Sequence, residues 1–139
     1  TIMMPTRLIR KNLVSKVGVF NENIPPALED VEYWSRCAFH TKFYYIDEPL
    51  ANYRKHSNNI STAKKKYINL PLYLNDVINQ NKKNISIQVY KKLRLNLCLM
   101  QSKMIKTDFC KTLRNMFKIN PFWFVNFRVQ KTIIKKLIR

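Results

Sequence analysis

The chain has 139 residues, 46% of them apolar, with a net charge of +18, a single glycine and three cysteines. That apolar share excludes a disordered polycation, and no apolar run approaches the ~18 residues that a membrane span requires. Cys37, Cys98 and Cys110 are odd in number and lack C-x-x-C spacing. Neither a disulfide framework nor a zinc site is therefore indicated, and reduced thiols in a cytosolic protein are expected.

In chain order, residues 2–9 alternate loosely and predict a strand, and Ile2-Met3-Met4 after Thr1 reads as the inside of that element. A start within an element predicts that the chain is part of a longer one. Residues 10–17 suit a short helix, which Gly18 ends as a left-handed residue that other side chains adopt at a cost. Residues 21–26 are turn-rich. Residues 29–39 read as a helix with acids in its first turn, where the dipole favours negative charge. The aromatic and β-branched run 42–46 predicts a strand, and 50–54 resumes the extended pattern beyond Asp47-Glu48-Pro49.

Beyond Ser61 the periodicity becomes helical. Residues 67–80 form one candidate, with Pro71 near its start. A longer one spans 85–105, with Val89, Leu93, Leu97 and Met100 on one face. Asp108 is placed to cap a helix over 109–117, and Pro121 to open a last helix running to the end. The expected organisation is thus a motif-bearing region, 1–61, and a helical basic region, 62–139.

Three segments of the first region belong together. One is Arg7-Leu-Ile-Arg-Lys-Asn-Leu-Val-Ser-Lys-Val-Gly18-Val-Phe20-Asn21-Glu22. The second is Glu29-Asp30-Val-Glu-Tyr33-Trp34-Ser-Arg36, and the third runs from Tyr44 through Pro49, Tyr53, Arg54 and His56 to Ser61. In order and spacing they resemble the "R-x-x-x…h-x-x-h-G-x-F-D-E", "E-D-x-x-h-W-x-R" and "h-h-x-x-P-L-h-x-Y-R-x-H-x-x-N-x-S" stretches of bacterial family 2 glycosyltransferases, enzymes of surface-polysaccharide synthesis. Asn21 stands where that family usually has Asp. The resemblance implies an α/β chain, the C-terminal portion of a GT-A nucleotide-diphospho-sugar transferase domain. It also implies inverting transfer from a nucleotide sugar to a hydroxyl on a glycan or lipid-linked acceptor. The family's Asp-x-Asp, which holds a divalent cation (Mg or Mn) on the donor diphosphate, is absent from this sequence. The chain is therefore expected to be inactive alone, and the cation to belong to a longer parent.

By the same resemblance Asp30 is the catalytic base, Glu29 and Trp34 bind acceptor, Arg54 and His56 face the donor diphosphate, and His56 is a possible metal ligand. A base must take the acceptor proton as its oxygen attacks, and a carboxylate in a helix's first turn is suited to that. Each residue also has a plainer reading. First-turn acids are common helix caps, Tyr33 and Trp34 can be core, and Arg54 can pair with Asp47 or Glu48.

The charge is unevenly placed. Residues 1–60 hold eight Lys/Arg against six Asp/Glu, and the remainder hold eighteen against two, Asp76 and Asp108. Phe122, Val125, Val129, Ile133 and Leu137 recur at helical spacing among Arg128, Lys131, Lys135 and Arg139. That pattern suits a helix lying on an anionic membrane surface, and equally one packed on the domain with a solvated basic face. The location expected is cytoplasmic, on the inner face of the membrane. A reading of another class makes the chain a non-catalytic basic module for anionic membrane or nucleic acid, the latter the less favoured because no nucleic-acid motif accompanies the charge.

Overall fold

Helices α1 (Lys11–Val17) and α2 (Glu29–Cys37) are the regular elements of the first of two units, residues 1–63 and 64–139. A computed structural model describes residues 6–52, 54 and 64–138. Helix α1 stops at Gly18, whose N–H donates to the Val14 carbonyl at 2.8 Å. Gly18 has φ 82° and ψ −165°. This is the extended region at positive φ, open essentially to glycine alone, rather than the left-handed helical residue that the sequence suggests.

The link to α2 closes with a turn in which the Leu28 N–H donates to the Pro25 carbonyl at 3.2 Å. Pro26 occupies the second position, and Ala27 (φ 76°) the third, where a type II turn favours glycine. Helix α2 places Glu29, Asp30 and Glu32 in its first turn and Arg36 in its last, each sign at the end of the dipole that stabilises it. Ile24, Leu28, Tyr33 and Cys37 are the buried apolar residues of this unit.

The expected α/β architecture is overturned. Among the described residues every regular element is helical and no strand is formed. Residues 41–47 run without regular structure and leave Tyr44 and Tyr45 91% and 79% exposed. A strand exists only when its N–H and C=O groups find a neighbouring strand, and no described segment supplies one. The strand expected over 50–54 has no ladder among its described residues either, and residues 2–5 of the first strand lie outside the described residues.

The second unit is built from α3 (Leu70–Gln80), α4 (Ile87–Ser102), α5 (Phe109–Ile119) and α6 (Phe127–Ile138), with a 3₁₀ turn over Lys64–Asn69 leading into α3. Helix α4 is central and packs on α3, α5 and α6. Its buried residues, Leu97, Cys98, Gln101 and Ser102, lie in its second half, while Val89 of the expected apolar face is exposed. Ile68, Leu70, Val77, Ile78, Ile105, Met116, Ile119 and Val129 are further buried apolar residues among those described in this unit.

Side-chain caps mark the starts of α4, α5 and α6, while α3 begins without one. Ser86 accepts from the Val89 N–H, and Asp108 accepts from the Lys111 N–H at 2.9 Å, as expected of it. The last helix starts later than Pro121 suggests. Residues 123–125 form a 3₁₀ turn, and Asn126 Oδ1 accepts from the Arg128 and Val129 N–H groups at 3.1 and 3.4 Å, opening α6. Two long-range bonds tie the bundle. Asn115 donates to the Ile68 carbonyl at 3.0 Å, and Arg94 donates to the Ile119 carbonyl at the end of α5.

Candidate functional site

Helix α2 carries the polar cluster of the front unit. Asp30 sits in its first turn, half-buried, and Arg7 reaches it from 23 residues upstream, with Nη2 donating to Oδ2 at 3.4 Å. The same guanidinium lies 4.4 Å from the centre of the Trp34 ring, one turn further along the helix face. Burial lowers the Arg7 pKa, and the Asp30 charge and hydrogen bond act the other way, offsetting part of the desolvation cost. Oδ1 of Asp30 accepts no hydrogen bond from the described residues.

Trp34 meets Tyr33 and Phe43 edge-on at 5.3 and 6.5 Å, and Phe20 stacks on Tyr33 at 4.4 Å. An aromatic wall thus runs beside the carboxylate. Tyr33 is buried, and burial pushes both its phenol and the Cys37 thiol up, so both stay neutral.

Arg36 holds this wall to α1. Its Nε donates to Glu32 Oε1 at 2.8 Å, Nη1 to the Val17 carbonyl at 2.7 Å, and Nη2 to the Val19 carbonyl at 2.8 Å. The two carbonyls flank Gly18, so the unusual backbone of that residue turns both toward one guanidinium. The Gly18 and Arg36 positions of the motif pattern therefore meet in space as one structural joint.

Of the sequence-derived site residues, Asp30 and Trp34 converge around Arg7. Glu29 is half-buried, with Oε2 accepting from the Leu28 N–H at 2.9 Å, so one of its oxygens serves the helix start. Arg54 is exposed and engaged with a neighbour. His56 lies outside the described residues, as does Tyr53 of the same motif. Among the described residues no group of three or more His, Cys, Asp or Glu is placed to hold a metal ion. Asp30 and Glu29 each give one oxygen to a guanidinium or a backbone N–H, and no third His, Cys, Asp or Glu joins them as a ligand set among the described residues. Arg7 opens the first motif segment, but its pairing with Asp30 is not legible there, because a contact across 23 residues carries no periodic signal.

No helix among the described residues is long and apolar enough to cross a membrane. Comparison with protein-family models, with curated proteins and with solved structures finds no match for this chain.

Proposed function

We propose that the front unit is the acceptor-side part of an inverting glycosyltransferase, with Asp30 as its base. The observation that carries the reading is the convergence of Arg7, Asp30 and Trp34, quoted from two separate motif segments, on one half-buried carboxylate with an open oxygen. The reading rests on these residues and their chemistry, not on a sheet.

In this mechanism Arg7 fixes Asp30 through Oδ2, so that Oδ1 faces the acceptor hydroxyl. As the acceptor oxygen attacks the anomeric carbon of a nucleotide sugar, Oδ1 takes its proton. The new glycosidic C–O bond forms as the bond to the diphosphate breaks, and the nucleoside diphosphate leaves with its electron pair. The Trp34 ring offers a face or edge for sugar stacking, and Arg54 with His56 would meet the diphosphate. The donor nucleotide and its cation belong, in this reading, to residues beyond this chain. Free Cys37, Cys98 and Cys110 suit a reducing compartment and hence a cytosolic donor pool.

The test is transfer of a labelled sugar from nucleotide donors to glycan or lipid-linked acceptors by the protein in its full reading frame. Asp30→Asn keeps the shape of the side chain and removes the base, and turnover is expected to fall by roughly 10²–10⁴-fold. Unchanged turnover in that variant would remove Asp30 from the chemistry.

A further inference from the structure

The sequence suggests a single apolar stripe on the last helix, but the structure gives α6 two apolar faces. Val129 is fully buried and Ile133 half-buried, so this face packs in the bundle. Phe127, Ile134 and Ile138, at i, i+7 and i+11, occupy the opposite face, with Phe127 71% and Ile138 81% exposed. Arg128, Lys131 and Lys135 border that outer face on one side, and Lys131 reaches to 6.0 Å from the Phe127 ring centre. The turn before α6 extends the exposed apolar surface through Phe122 and Val125, 70% and 71% exposed.

A groove of about 440 Å³ opens beside that turn, with Tyr90, Lys91 and Arg94 of α4 on one wall and Phe122 and Val125 on the other. Lys91 therefore stands exposed against the apolar ridge, while Arg94 is held by the Ile119 carbonyl and the Tyr90 hydroxyl.

We infer that the outer face of α6 and the 122–125 turn dock on an anionic lipid bilayer. The apolar ridge would enter the acyl boundary, and the exposed Lys91, Lys131 and Lys135 would meet the lipid phosphates. Charge complementarity selects this occupant. Eighteen Lys/Arg face two Asp in residues 62–139, so a second copy would bring like charge to the contact. Nucleic acid would satisfy the cations and leave Ile134, Leu137 and Ile138 in water. An anionic bilayer takes up both the charge and the apolar face, in the manner of a helix lying in the interface. No described helix is suited to span, and lying on the surface requires none. The docking face lies within residues 87–138, and it is independent of the sugar-transfer reading, because its readout needs no nucleotide sugar.

The experiment is co-sedimentation of the full chain with vesicles of phosphatidylcholine alone, or of equimolar phosphatidylcholine and phosphatidylglycerol. Binding is expected to the mixed vesicles and to weaken with salt. Phe127→Gln, Ile134→Gln and Ile138→Gln together leave the charge unchanged and touch exposed positions only. They are expected to lower the partition coefficient by at least about tenfold, with the circular dichroism spectrum preserved. Lys91→Gln, at the groove, is expected to lower it by about fivefold. Undiminished binding of the triple variant would overturn the inference, as would equal binding to both vesicle types. A solution dimer that the triple variant dissolves, in a protein that ignores vesicles, would assign the face to a second copy instead.

Discussion

Arg36 offers the sharpest perturbation of the front unit, because its guanidinium holds one carboxylate and two carbonyls at once. Glu32 is only 5% exposed, and its Oε2 already lacks a hydrogen-bond donor. Arg36→Met keeps much of the side chain's apolar length but leaves that carboxylate buried without its counter-charge. Removing one partner of a buried pair costs about 3–5 kcal/mol. A unit of 63 residues has a total stability on the order of 3–9 kcal/mol. The loss is therefore comparable with everything that holds the unit folded.

Trp34 reports on this unit and Trp123 on the other, so a Trp123→Phe background isolates the Trp34 emission. With a urea dependence of about 1 kcal/mol per molar, the Trp34 transition should move down by about 3 M or more. In the limit it vanishes, with emission already at the unfolded level in water. Adding Glu32→Gln should recover about 1–3 kcal/mol, since a neutral amide is cheaper to bury than an unpaired carboxylate. A shift below about 1 M for Arg36→Met would match an exposed surface pair. It would refute the assignment of Arg36 as the joint between α1 and α2.

Three further outcomes follow from the second unit. Gln101 is fully buried and its amide makes no hydrogen bond with the described residues, so Gln101→Met should raise the urea midpoint by the equivalent of about 1–3 kcal/mol; a lower midpoint would mean that the amide is satisfied in solution. Asn126→Ala removes the acceptor at the start of α6 and should cost about 1 kcal/mol, read as faster amide exchange at residues 128–130. Burial pushes the Cys98 thiol from 9.0 up to about 11, so alkylation mapped by mass should mark the exposed Cys110 and spare Cys98. Because the fold favours the neutral thiol, the Cys98 contribution to stability is complete below about 9 and is lost as pH climbs through about 11. Urea midpoints taken on either side of that window should fall with rising pH, and Cys98→Ala should remove that part of the fall.

What could be read from the sequence divides by how local the signal is. Acids in the first turn of α2 and Asp108 before α5 act on N–H groups two or three residues away, so short windows contain the whole interaction. The strand expected over 42–46 rests on a pattern whose meaning depends on a partner elsewhere, and among the described residues the partner is missing. The last helix illustrates a different ambiguity. Pro121 is a common helix opener, yet Asn126 supplies the actual cap, and a helix apolar on two sides reads in sequence as one broad stripe. Within the candidate site, Asp30 and Trp34 come from motif positions one helical turn apart. Arg7 is a position of the other motif segment, and its contact with Asp30 across 23 residues is one that no spacing rule encodes. The buried Gln101, Thr112 and Asn115 are likewise invisible to hydropathy, which places polar residues outside.

The two units use their arginines and lysines in opposite ways, and that contrast supports assigning the rear charge to an external partner. In the front unit Arg7 and Arg36 are drawn inward, each paired with a carboxylate and laid over an aromatic ring. In the rear unit Asp108 is committed to the α5 start, Asp76 is exposed, and no ion pair forms among the described residues. Arg94 turns in to a carbonyl, while Lys82, Lys83, Lys91, Lys92, Lys131, Lys135 and Lys136 are all exposed. Charge arranged in that way adds nothing to the fold and weakens it through self-repulsion at low ionic strength. A polyanionic surface that binds the folded unit reverses the effect, because binding to the native state alone adds to its stability. The bundle should therefore gain thermal stability from phosphatidylglycerol vesicles, and gain it most at the low salt where the free protein is weakest.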